Sequence, residues 1–97
     1  MYTLELTDEA HKNLLALRNN PSQIAKYKAV SKALRLLGHD PRHPGLNTHK
    51  FTSLVGHIGE EVFEAYAQNN TPGAYRIFWF YGPQKKTITI IAITPHP

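Results

Sequence analysis

The sequence predicts an α+β fold in one domain over residues 1–97: an N-terminal strand, an antiparallel helical hairpin, then a four-strand antiparallel meander, in the order β-α-α-β-β-β-β. Three observations predict it. Phe63–Ala67, Tyr75–Tyr81 and Thr87–Ile93 are runs of aromatic and β-branched residues, parted by Asn69-Asn70-Thr71-Pro72-Gly73 and by Gly82-Pro83-Gln84-Lys85-Lys86. Breaks that short join antiparallel neighbours. Upstream, two stretches with apolar residues at helical spacing flank Asn19-Asn20-Pro21.

The first element is a half-buried strand, because Tyr2, Leu4 and Leu6 alternate with Thr3, Glu5 and Thr7. Thr7 or Asp8 caps the helix that follows, and Asp8 and Glu9 suit the positive end of its dipole. Ala10, Leu14 and Leu17 form its apolar stripe, widened by Leu15. It stops at Asn19-Asn20, and Pro21 fits the first turn of a second helix. There Ile24, Tyr27, Val30 or Ser31, Leu34 and Leu37 repeat at helical spacing, and Gly38 ends the run. Both stripes need cover, and one face of the sheet supplies it, leaving the other face open. His39 to His49 holds Pro41, Pro44 and Gly45, an irregular connection from which Leu46 tucks into the core. A short strand follows from Lys50 to Leu54, then a turn over Gly56–Gly59.

Composition bounds the function less sharply. Lys and Arg number 11 against 7 acids, a net charge of +4, which suits a nucleic acid or an acidic protein without requiring either. With no cysteine, disulfides and cysteine-ligated metals are excluded and a reducing cytoplasm is the expected compartment. No apolar run reaches membrane-spanning length, and Met1-Tyr2-Thr3-Leu4-Glu5 does not open a signal peptide.

Several stretches together resemble the RelE/ParE toxin superfamily. They are the order of elements, Asp40-Pro41 through Lys50-Phe51-x-x-Leu54, Ala74-Tyr75-Arg76-Ile77, and a closing strand that ends in His96. The resemblance covers nearly the whole chain. It implies the toxin of a toxin–antitoxin pair, neutralised by a cognate acidic antitoxin. The RelE-like branch cuts messenger RNA on the ribosome, and the ParE-like branch inhibits gyrase. Fold likeness alone does not deliver a function.

For RNA cleavage the resemblance implies Arg76 and His96 as catalytic residues. The planar guanidinium of Arg76 suits a phosphate, and His96 suits proton transfer near neutral pH. A register opposing residues 78 and 90 would put Arg76, Phe78, Phe80 and Ala92 on one face, with Thr94 and His96 following by alternation. Lys50 and His49 would add phosphate contacts, as would Lys28, Lys32 and Arg35 along one helix face. Active relatives commonly carry another arginine on the strand before Tyr75-Arg76-Ile77, where this chain has Phe63-Glu64-Ala65-Tyr66, and a tyrosine or arginine after the histidine, where it has Pro97. Glu64 is therefore either a general base or a structural partner of Arg76.

Each candidate has a plainer reading beside it. Arg76 would pair with Glu64 and stack on Phe78 or Tyr66; Lys28, Lys32 and Arg35 would be a solvated face; Trp79 would be core rather than a base-stacking platform. His39, His43, His49 and His57 match no metal-ligand spacing, so no metal and no cofactor is expected. Two functions follow: a ribosome-dependent endoribonuclease toxin, or a non-catalytic protein of the same fold that binds a gyrase-type target or an antitoxin.

Overall fold

The computed structural model describes residues 1–55 and 59–96, with backbone alone at 53–55. Most of the turn expected over Gly56–Gly59, together with His57 and Pro97, lies outside the described residues. The strands are β1 (Thr3–Leu6), β2 (His49–Val55), β3 (Glu61–Tyr66), β4 (Tyr75–Tyr81) and β5 (Thr87–Pro95), and the helices are α1 (Asp8–Arg18) and α2 (Ile24–His39). They form one five-stranded sheet in the order β1-β5-β4-β3-β2. The meander from β2 to β5 is antiparallel, as predicted, and β1 joins the far edge parallel to β5. A parallel neighbour needs a crossover, and the helical pair sits in the connection between β1 and the rest of the sheet.

Local chemistry accounts for the helix ends. Thr7, not Asp8, caps α1, its hydroxyl accepting from the Ala10 N–H at 3.1 Å. The chain then turns through a 3-10 segment, Pro21–Gln23, which Asn20 caps by accepting from the Ser22 N–H at 3.1 Å. Hence α2 begins three residues later than Pro21 would suggest, at Ile24. That residue is 47% exposed, because at the helix start it lies beyond the stripe of Tyr27, Val30, Leu34 and Leu37. Gly38 does not end α2, which continues to His39. It packs instead against β1, its carbonyl accepting the Tyr2 N–H at 2.7 Å.

The core lies between the helices and one sheet face. Leu17, Val30, Ala33, Leu34 and Leu37 meet Ala65, Ile77, Trp79, Ile88, Ile90 and Ile93, and Leu46 fills the end as expected. Ile88, Ile90 and Ile93 share that face despite their uneven spacing because β5 carries a bulge. Phe78 pairs with Ala92 and Trp79 with Ile90, which leaves Ile91 as the extra residue. The expected pairing of 78 with 90 is thus displaced by two positions, which preserves parity up to the bulge. Where β1 stops, α1 satisfies the edge of β5: the Thr7 hydroxyl donates to the Ile91 carbonyl at 2.8 Å, and Asn13 Oδ1 accepts from the Ile93 N–H at 2.9 Å.

The second face of the sheet departs from expectation. Val62, Glu64, Arg76, Phe78 and Phe80 on that side are all buried. Between Lys50 and Val55 the β2–β3 register shifts, and the Phe51 ring packs edge-on to Phe78 at 4.8 Å. Aromatic packing across the strands therefore closes a surface that the sequence pattern left open.

Candidate functional site

Glu64 is the centre of this second face. It sits in the middle of β3, where cross-strand pairing places His49 on one side and Phe78 on the other. Its side chain is 2% exposed. A buried carboxylate costs on the order of several kcal/mol unless charge and hydrogen bonds compensate it. Three cationic or potentially cationic groups do so. His49 Nε2 lies 2.9 Å from Oε1, while His96 Nδ1 at 3.0 Å and Arg76 Nε at 3.5 Å approach Oε2.

Each partner arrives by a different local device. His96 lies just past β5, and its backbone N–H donates to the Ala74 carbonyl at 2.8 Å, prolonging the strand pairing by one step. Arg76 stands opposite Tyr66 rather than Glu64, and therefore reaches the carboxylate diagonally. Its Cζ lies 3.6 Å from the Tyr66 ring centroid, the cation–π contact expected of an arginine among aromatics. Nη1 donates to the Gln68 and Tyr75 carbonyls. Of the two stacking partners anticipated, Tyr66 is the one that holds Arg76. Its edge-on contact with the His49 ring, at 5.6 Å, ties the two sides of the cluster together.

Exposure separates the four side chains into two pairs. Glu64 and Arg76 are 2% and 8% exposed, whereas His49 and His96 are 47% and 50% exposed. The imidazoles form the accessible rim, and the carboxylate and guanidinium stand behind them. Proton counting constrains His49 further. Its Nδ1 faces the Asn47 carbonyl at 3.0 Å and its Nε2 faces Glu64, so both nitrogens meet acceptors. Satisfying both contacts requires the imidazolium, or a proton on Glu64. His96 differs: Nδ1 is engaged by Glu64, and no protein group among the described residues bonds Nε2.

The remaining sequence candidates lie elsewhere. Lys50 pairs in register with Phe63 and so faces the helix side, where its ammonium meets Glu61 at 2.9 Å in a solvent-exposed ion pair. Of the two adjacent residues, His49 rather than Lys50 reaches the carboxylate. Lys28, Lys32 and Arg35 are exposed on α2 and form no ion pair with Glu64 or any other described residue. Trp79 belongs to the core, stacked on Phe63 at 4.9 Å. Beside it, burial raises the Tyr81 hydroxyl above its usual pKa of 10.0, with help from neighbouring Tyr2. Among the described residues no group of three His, Asp or Glu side chains fits a metal ion. His43 spends Nδ1 accepting the Gly45 N–H at 2.9 Å. Gln68 had no signal of its own in the sequence; only the β3–β4 pairing brings its carbonyl to Arg76.

No family model and no curated protein sequence matches the chain. Solved structures do. RelE in an archaeal RelE–RelB complex from Pyrococcus horikoshii is 20% identical with a TM-score of 0.64, covering 97% of this chain and 93% of that one. A YoeB/ParE toxin from Agrobacterium tumefaciens is 9% identical with a TM-score of 0.69, covering 98% and 99%. A metal-bound toxin from Helicobacter pylori is 20% identical with a TM-score of 0.67, covering 99% and 96%. The chain has the fold of the RelE/ParE toxins.

Proposed function

We propose that the chain is the toxin of a toxin–antitoxin pair and cleaves RNA at the Glu64 cluster. One observation carries this reading: a buried carboxylate holds two half-exposed imidazoles and a guanidinium on one face of the sheet. RNA cleavage needs a base for the 2′-hydroxyl proton and positive charge beside the phosphorus. His96, oriented through Nδ1 by Glu64, presents Nε2 to take that proton, the arrangement of an imidazole steered by a carboxylate. The 2′-oxygen then bonds phosphorus, the bond to the 5′-oxygen breaks, and the departing oxygen takes a proton from water. As an imidazolium His49 would supply charge at the rim, and Arg76 stands behind Glu64. Dependence on the ribosome and a cytoplasmic setting rest on the resemblance to RelE-type toxins. An acidic antitoxin suits the net charge of +4 and the complex of the archaeal relative with RelB.

A second reading has an observation of its own. The Arg76 guanidinium is 8% exposed and already engaged by Gln68, Tyr75 and Tyr66, so it is not offered to a phosphate. That favours a non-catalytic protein acting on a gyrase-type target or on an antitoxin alone. Induced expression, with and without a neighbouring acidic reading frame, separates the two when RNA ends are mapped. New ends that vanish with His96→Ala support cleavage. Growth arrest without new RNA ends selects the binding protein, and no arrest at all removes the toxin reading.

A further inference from the structure

A second recess lies on the helix side of the sheet, between the 41–50 connection and strands β3 and β4. It encloses about 790 Å³. Its floor is aromatic: Phe63 stacks on Trp79 at 4.9 Å, and Tyr81 stands edge-on to Trp79 at 4.8 Å. Its rim carries Arg42, His43 and Lys50, the last already paired with Glu61, and no carboxylate is among its lining residues. Arg42 is exposed and has no ion-pair partner among the described residues. Because Nδ1 of His43 accepts from Gly45, the proton of its neutral ring sits on Nε2, a donor. Trp79 is wholly buried, and its indole Nε1 has no acceptor among the described residues.

From these groups we infer that the cleft binds a nucleotide unit. The base lies against the Phe63 and Tyr81 rings, which pack on Trp79, and its phosphate meets Arg42. Stacking on aromatic rings accepts any base, and a planar fork with a free end suits phosphate oxygens. An apolar ligand would leave the basic rim unused. His49 links this cleft to the first site, since it lines the cleft and also holds Glu64. The cleft and the buried carboxylate thus lie on opposite faces of the sheet with His49 at the edge between them, and naming RNA as the source of the nucleotide rests on the function proposed above.

The protein carries a single tryptophan, so its fluorescence reports on the cleft directly. The full chain would be titrated with nucleoside monophosphates, with a single-stranded RNA oligomer bearing 2′-deoxyribose at every position that could be cut, and with ribose 5-phosphate. Saturable quenching by nucleotides but not by ribose 5-phosphate is expected, weakened roughly tenfold or more by Tyr81→Ala and by Arg42→Ala. Tighter binding of the oligomer than of any monophosphate assigns the cleft to RNA; equal binding assigns it to free nucleotides. No quenching, or an equal response to ribose 5-phosphate, overturns the inference. So would quenching only by an acidic peptide, which would give the cleft to a protein segment. Binding needs no cleavage, so quenching that persists in a chain producing no RNA ends removes the nuclease and leaves the cleft standing.

Discussion

His96 Nδ1 lies 3.0 Å from Glu64 Oε2, across 32 positions of sequence. One residue lies just beyond the last strand and the other is buried in mid-sheet, so the contact forms only when β3, β4 and β5 are all in register. It converts a tail histidine into an oriented one. The imidazole remains half exposed, so its chemistry is open to solvent while its orientation is set from the interior.

That division of labour predicts a split between activity and stability. His96→Ala should reduce RNA cleavage by about 10²-fold or more while leaving the chain folded, at a stability cost of roughly 1–3 kcal/mol because it withdraws one hydrogen bond from the buried Glu64 carboxylate that His49 and Arg76 still reach. Cleavage measured beside thermal melting checks it. A variant that cuts RNA at the wild-type rate would remove His96 from the mechanism.

Packing on the helix side gives a prediction that is independent of function. Leu34 is 9% exposed and sits in the stripe that meets the sheet. Leu34→Ala should cost roughly 2–5 kcal/mol in denaturant unfolding, from lost burial and the cavity left behind. A loss near zero would mean that α2 does not dock as described.

Much of this arrangement was legible in the sequence, and the exceptions share a cause. Tyr2, Leu4 and Leu6 announce a strand by their period alone, and Tyr27, Leu34 and Leu37 announce a helix. Gly38 misled because glycine usually terminates helices, yet here it packs against β1. Ile24 misled because periodicity does not say where a stripe leaves the sheet. The bulge at Ile91 was invisible, since an extra residue is defined only by the partner strand. The same holds for the site. Arg76 and Glu64 could be named, but the preference for His49 over Lys50 depends on which of two adjacent residues faces which side of an edge strand. Closure of the second face by Phe51 depends on a register shift that no local pattern encodes.

Tyr81 provides a test by pH. Burial is the main cause of its raised pKa, followed by the proximity of Tyr2, so the fold prefers the neutral phenol. The sign follows from proton binding: above the ordinary value of 10.0 the unfolded chain releases this proton first, and the folded chain holds it longer. The stabilising contribution is complete below that value and is lost as pH rises through the raised one. Tyrosinate absorbance during alkaline titration should show one tyrosine ionising later than the rest, and Tyr81→Phe should remove that late step. Simultaneous ionisation of all 5 tyrosines in the folded protein would contradict it.

The pair of Arg76 and Glu64 decides how the cluster holds together. Arg76 Nε is 3.5 Å from Oε2, longer than a good hydrogen bond, and Nε is otherwise buried without a partner. Arg76→Ala leaves the carboxylate buried, but His49 and His96 still reach it, so the loss should be roughly 1–3 kcal/mol rather than the larger cost of an abandoned charge. Glu64→Gln removes the anion that all three partners approach. In the Arg76→Ala background it should cost less than in the wild type, because the group that needed compensation is gone. A double-mutant cycle read by denaturant unfolding should then show coupling of about 0.5–3 kcal/mol. Additive losses would mean that Arg76 is held by Tyr66 and the Gln68 carbonyl alone, and that Glu64 answers only to its two histidines.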